Sequence, residues 1–151
     1  MKKVLEQTIP HQKSTQDFAK KLVDEFLAGE KNFTIFFEGG LGTGKTFLVR
    51  EILKNFGVTE KVSSPTFIFV NEFHAGERKW AHFDLYRLKN QDEFFARGFD
   101  EIAVDETVSK FVEWPERIGA DVQRHFSGKH FIVQISHGVG AGMRKIKLLT
   151  Q

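Results

Sequence analysis

The chain has no cysteine, which excludes a disulfide framework and any thiolate-held metal and fits a reducing compartment. It has no apolar run approaching the ~20 residues that a helix needs to cross a bilayer. Met1-Lys2-Lys3-Val4-Leu5-Glu6 carries basic residues with no apolar stretch after them, so no signal peptide is expected. Proline occurs only 3 times. Pro- or Ser-rich linkers, low-complexity tracts and internal repeats are missing, which leaves one domain over residues 1–151 as the simplest organisation. Charge of one sign is also scarce. Twenty-two Lys/Arg face 20 Asp/Glu, a net +2 that permits phosphate contact without marking a nucleic-acid binder. One Tyr and two Trp stand against 17 Phe. Phe buries a large apolar area with no polar group to satisfy, so this excess reads as core filling.

Periodicity supplies the elements. Phe18, Leu22 and Phe26 recur every fourth residue and predict a first helix, with Ser14 or Thr15 as its cap, Asp17 completing a capping box and Gly29 as its stop. Phe33 to Phe37 is an aromatic and β-branched run that predicts a buried strand. A second helix is predicted from about Gly44 to Asn55, stopped by Gly57. Thr66–Phe73 and Trp80–Leu85 predict a hairpin turning through residues 74–79, and Gln91–Arg97 a short helix ended by Gly98. Val108–Trp114 reads as a strand stopped by Pro115, and Phe131–Ile135 with Lys145–Leu149 as a closing strand pair. The expected fold is α/β and three-layered, P-loop NTPase-like, with a mixed central sheet that is parallel around the glycine-rich turn and antiparallel at the hairpin.

Gly39-Gly40-Leu41-Gly42-Thr43-Gly44-Lys45-Thr46 matches G-x-x-x-x-G-K-[ST] in full, after a predicted strand and opening a predicted helix. Glycines let such a loop turn its N–H groups inward on phosphate oxygens. Lys45 would reach the β- and γ-phosphates, the Thr46 hydroxyl would ligate Mg²⁺, and the helix N-terminus adds its positive end. Gly40, Leu41, Gly42, Thr43, Gly44, Lys45, Thr46 and the adjoining Phe47 are therefore the expected nucleotide-binding residues. No Asn-Lys-x-Asp segment is present to read guanine, which favours ATP.

Such a site needs a carboxylate near Mg²⁺ at the end of an apolar strand. Asp84, Asp105 and Glu113 all qualify by position. His82 and Asp84 share one strand face, as do Phe111 and Glu113. Two potential ligands without a third make a poor metal pair, so His82 suits a hydrogen-bonding role or a place near Mg²⁺-bound water. The other histidines show no ligand spacing, and nucleophile-elbow and zinc-peptidase motifs are missing. Two other readings stay open. One is a small-molecule kinase using Arg87, Arg97 or Arg144 on a lid; the other is a nucleotide switch that docks a partner without hydrolysis.

Four segments, in order and spacing, resemble one family, the bacterial TsaE (YjeE) proteins of tRNA threonylcarbamoyladenosine biosynthesis. They are Glu38 to Thr46, Ser63-Ser64-Pro65-Thr66-Phe67, His82-Phe83-Asp84-Leu85-Tyr86-Arg87 and Glu113-Trp114-Pro115-Glu116. The resemblance implies that Asp84 and Glu113 line the nucleotide site with Lys45 as its catalytic groups, and that Asp105 lies outside it. It implies Thr46, Glu113, Thr66 and Asp84 as the Mg²⁺ end, Thr15 near the adenine, and Trp114 beside the site. It also implies Mg²⁺-dependent ATP hydrolysis, weak alone and stimulated by partners, in support of threonylcarbamoylation of the adenosine next to the anticodon. The implied partners are a TsaD-like and a TsaB-like protein, with tRNA reached only through them, in the cytoplasm and away from membranes. The family commonly carries Asp at the position of Gly40, Ala at that of Thr43 and Gly at that of Ala19. Gly40 removes a carboxylate from the loop and Thr43 adds a hydroxyl, while the backbone cradle is kept.

Overall fold

The computed structural model describes residues 1–62, 68–140 and 142–150. Seven strands form one sheet: β1 (Lys2–Ile9), β2 (Phe33–Glu38), β3 (Val70–Ala75), β4 (Arg78–Asp84), β5 (Val108–Glu113), β6 (Lys129–His137) and β7 (Arg144–Thr150). Their spatial order is β1-β7-β6-β2-β5-β4-β3. The four inner strands β6, β2, β5 and β4 run parallel, while β3, β7 and β1 add antiparallel edges. The fold is α/β with a mixed sheet, as the sequence predicts.

Strand β2 is central, and every residue from Phe33 to Phe37 is buried. A strand covered on both faces needs apolar side chains in succession rather than in alternation. Phe33, Ile35 and Phe37 pack on one face with Phe18, Leu22, Leu48 and Ile52. These come from helices α1 (Gln12–Leu22) and α2 (Lys45–Asn55). Phe36 packs on the other face with Phe83, Phe94, Ala103, Val112 and Val122. That layer is built from α3 (Gln91–Ala96), α4 (Phe99–Val104) and α5 (Gly119–Gln123). The Phe excess does fill these interiors: Phe111 lies edge-on to Phe33 at 5.8 Å, and Phe126 meets both Phe36 and Phe83 edge-on, at 5.4 and 5.6 Å.

Some local expectations are corrected. Helix α1 starts at Gln12, with extended His11 as its N-cap and no side-chain cap, so neither Ser14, Thr15 nor an Asp17 capping box closes it. Pro10 ends β1 and feeds the chain straight into the helix, where the Ser14 amide donates to the His11 carbonyl at 3.1 Å. The helix then widens through a π-turn, Val23–Leu27, in which the Ala28 amide reaches back to the Val23 carbonyl at 2.8 Å. The hairpin is tighter than expected, because β3 extends through Ala75 and β4 begins at Arg78. Strand β1 and the short helices α4 and α5 have no counterpart among the predicted elements. Ser63 to Phe67, and with them Thr66, lie outside the described residues.

A buried lysine closes the end of the sheet opposite the glycine-rich loop. Lys110 on β5 is fully buried. Its Nζ donates to the Asp105 carbonyl at 2.7 Å and to Ser127 Oγ at 2.5 Å. Asn32 Nδ2 and Thr34 Oγ1 donate to Ser127 Oγ and to the Ser127 carbonyl at 2.9 and 2.8 Å, joining β2, β5 and the turn before β6. Burial lowers the Lys110 pKa from the ordinary 10.5 to about 8, against the opposing pull of Asp105 and Glu106. Between those values the unfolded chain holds a proton that the folded chain has released, so this group's contribution to stability rises with pH. Urea unfolding of wild type and Lys110→Met across the window from about 8 to 10.5 is expected to shift in favour of wild type, by on the order of 2 kcal/mol in total. Parallel stability curves for the two proteins would mean that Lys110 titrates normally.

Candidate functional site

The C-terminal ends of β2, β5 and β4 build the site. Phe37, Glu113 and Asp84 are register partners in one row across the three strands. The chain leaves β2 through the glycine-rich loop and enters α2 at Lys45. Two glycines are demanded by geometry. A Cβ on Gly39 would stand 2.6 Å from the Ile135 carbonyl oxygen of β6, and Gly44 caps α2 at φ +100°. Gly40 is different, since a Cβ there meets nothing within 4 Å, so this position has room for a side chain.

The loop is tied down by its carbonyls. Thr43 Oγ1 donates to the Gly40 carbonyl at 2.9 Å, and Thr43 is buried. Arg144, at the start of β7, donates from Nε to the Thr43 carbonyl at 2.6 Å and from Nη2 to the Gly42 carbonyl at 3.0 Å. Lys45 Nζ donates to the Gly39 carbonyl at 2.6 Å. With these oxygens engaged, the loop's amides are left over. Among the described residues, no amide from 40 to 47 donates to a backbone acceptor outside regular elements. That is the arrangement of a backbone anion cradle.

Lys45 is buried and also lies over the Trp114 ring, 3.6 Å from its centroid. Burial pushes its ammonium below the ordinary lysine range, while Glu113, Glu116 and Asp84 pull it back. Trp114 takes φ +60°, unusual for a bulky residue. This bend carries the chain from β5 into the turn Pro115–Ile118 and sets the indole beside the loop, tilted against the Tyr86 ring at 4.8 Å.

Under the loop, Thr46 Oγ1 contacts both carboxylate oxygens of Glu113, at 3.1 and 2.9 Å. Glu113 and Asp84 are both buried. Asp84 accepts from the Tyr86 amide at 3.1 Å. His82, fully buried on the same face of β4, places Nε2 at 2.5 Å from Glu113 Oε2. The oxygen set of Thr46, Glu113 and Asp84 is hard-donor chemistry of the kind Mg²⁺ takes.

Two clefts meet at the loop. One, of about 430 Å³, is lined by Leu41 to Phe47, Asp84, Tyr86, Arg87, Glu113 and Trp114. The other, of about 220 Å³, lies across Thr43, Gly44 and Phe47 and is lined by Ile9, His11, Gln12, Thr15, Ile135, Arg144 and Ile146. Leu41 to Phe47 thus border the first cleft, and Thr15 borders the second. Asp105 sits far off, at the opposite end of β5, where its carboxylate accepts from the Thr107 amide and hydroxyl at 2.8 and 2.7 Å. Thr66 lies outside the described residues. Arg144 is the residue whose place the sequence does not signal. Its contacts span 101 and 102 positions, and no local pattern encodes them.

The family model described as threonylcarbamoyl adenosine biosynthesis protein TsaE matches residues 9–145. The tRNA threonylcarbamoyladenosine biosynthesis protein TsaE of Rickettsia typhi is 33% identical over 112 residues, 74% of this chain and 74% of the relative. That of Haemophilus influenzae is 34% identical over 115 residues, 75% of this chain and 72% of the relative. That of Treponema pallidum is 30% identical over 115 residues, 75% of this chain and 82% of the relative. Among solved structures, Bacillus subtilis YdiB superposes with a TM-score of 0.68 over 97% of this chain and 84% of its own, at 22% identity, a likeness of fold. With a family model over residues 9–145 and relatives similar along most of their length, this chain of P-loop NTPase-like fold belongs to the TsaE family.

Proposed function

We propose that residues 1–151 form one ATPase domain that binds Mg²⁺-ATP and hydrolyses it in support of tRNA threonylcarbamoyladenosine formation. The observation that carries this reading is the contact between Thr46 and Glu113 beneath the loop, with Asp84 beside it in the same strand row. The loop amides and Lys45 would hold the phosphates, and Thr46, Glu113 and Asp84, with Thr66 by resemblance, would form the Mg²⁺ end. The second cleft, with Thr15 on its wall, suits the adenine, since Phe47 and Thr43 border both spaces. Mg²⁺ would supply charge neutralisation on the β- and γ-phosphates. The chain's own contribution is to hold the phosphates with fixed dipoles and to hold a carboxylate where a water can be oriented.

Family membership supports, as partners, a TsaD-like and a TsaB-like protein, with tRNA reached only through their complex and the work done in the cytoplasm. Among the described residues no helix is long and apolar enough to cross a membrane. A net charge of +2 gives the chain little hold on tRNA by itself. The kinase reading loses support from two of its three arginines. Arg144 grips the loop, and Arg97 is bonded to Glu93 and stacked on Phe69.

Lys45→Ala removes the ammonium beside the loop and is expected to weaken binding of a fluorescent ATP analogue by at least about tenfold, the scale of a lost charged contact. Equal affinity in mutant and wild type would remove Lys45 from the site. Asp84→Ala and Glu113→Ala are each expected to lower the hydrolysis rate by roughly a hundredfold while leaving nucleotide affinity within a few fold, the signature of lost transition-state stabilisation. Asp105→Ala is the control and should hydrolyse normally; an inactive Asp105 variant beside two active ones would reverse the assignment. Reconstitution of the modification with the partner proteins tests the pathway role. Wild type should raise multiple-turnover formation of modified adenosine, and Lys45→Ala should not.

A further inference from the structure

The reading above uses Glu113 and Thr46 but leaves His82 without a task. His82 is fully buried on the inner face of β4, between its register partners Asn71 on β3 and Phe111 on β5. Its Nε2 lies 2.5 Å from Glu113 Oε2, with the two side chains 0% and 4% exposed. Among the described residues, its other ring nitrogen, Nδ1, is buried without a hydrogen-bond partner. An imidazole that carries its one proton on Nε2 donates to the carboxylate and leaves a lone pair on Nδ1, so no buried donor is stranded. The opposite tautomer would set a lone pair against a carboxylate oxygen and bury an unpaired N–H as well, which costs far more. The contacts therefore select the Nε2–H form.

We infer that His82 is a positioning residue for the cation end of this site: its Nε2–H bond fixes the Glu113 carboxylate so that it accepts the Thr46 hydroxyl proton and leaves the Thr46 oxygen lone pairs free for a divalent cation. The inference rests on the reading of Thr46 and Glu113 as that end. Thr46 has one hydroxyl proton and stands within reach of both Glu113 oxygens. A carboxylate turning freely about its last torsion would offer either oxygen, because that torsion is broad and two-fold. A second donor on Oε2 breaks the symmetry and holds one orientation. The choice of donor matters as well. Imidazole can donate without a full positive charge, whereas Lys or Arg at this position would form an ion pair with Glu113 and offset the attraction that the carboxylate exerts on a cation. Strand geometry explains why position 82 does this. Residues 82 and 84 face the same side, so β4 presents Asp84 at the rim and His82 one step deeper, both against Glu113.

Proton NMR of the nucleotide-free protein reads the bond directly. A short, buried N–H···O bond is expected to give a far-downfield, exchange-protected resonance that disappears in His82→Gln and Glu113→Ala and persists in Lys45→Ala. A wild-type spectrum without it overturns the inference. The functional arm is a Mg²⁺ titration of binding of a fluorescent ATP analogue. His82→Phe keeps the ring but has no donor, and is expected to raise the half-saturating Mg²⁺ concentration by about tenfold or more, the scale of a lost charge-assisted hydrogen bond. Its affinity without Mg²⁺ should stay within about twofold, because the loop is untouched. His82→Gln, whose amide N–H reaches about as far as Nε2, should recover most of the Mg²⁺ dependence. A His82→Phe protein with wild-type melting and wild-type Mg²⁺ dependence sinks the proposal, as does a folded His82→Gln protein as impaired as His82→Phe. If His82→Phe does not fold, His82→Gln and the wild-type resonance still decide. A wild type whose nucleotide binding ignores Mg²⁺ would instead fell the functional reading, while the resonance continues to report on the bond.

Discussion

Everything at this site depends on three parallel strands ending at one level. Hydrogen bonding between β2, β5 and β4 fixes Phe37, Glu113 and Asp84 in a single row. A slip of one residue in either pairing would turn a carboxylate to the opposite face of the sheet, into the apolar layer around Phe83 and Val112. The register cannot slip because Phe33, Ile35 and Phe111 on one face and Phe36 and Val112 on the other are all committed to packed interiors. Apolar packing thus sets the position of two buried acids.

The molecule contains two buried lysines and treats them differently. Lys110 donates to two oxygens that tie it into the closed end of the sheet. Lys45 has one carbonyl and the face of an indole. A carbonyl and a π-face stabilise an ammonium less than phosphate oxygens do. Lys45 is therefore held in place yet available to a stronger acceptor, which suits a phosphate-binding residue and would be wasteful in a structural one.

How much of this was legible in the sequence follows from the range of the interactions. The loop could be read because its chemistry is backbone chemistry over eight consecutive positions. Strand β2 could be read because a doubly covered strand must be apolar throughout, and α2 because Leu48 and Ile52 repeat at helical spacing. Strand β1 could not, since only its pairing with β7, at the far end of the chain, makes Lys2–Ile9 a strand. Helices α4 and α5 are too short to show a period and exist because Ala103 and Val122 dock against the sheet. The shared face of His82 and Asp84 was plain from alternation. The bond from His82 to Glu113 was not, because it depends on which strand lies next to β4.

The hold of Arg144 on the loop carbonyls has a consequence in time. Chains are made from the N-terminus, so the glycine-rich loop leaves the ribosome well before the residue that clamps it, 101 positions later. During that interval the motif is complete as sequence, but its carbonyls have no guanidinium to turn them outward. On the proposed reading, the loop would reach its clamped, nucleotide-ready form only when β7 takes its place between β6 and β1. A partly made chain would neither sequester nucleotide nor present itself as competent before its sheet has closed.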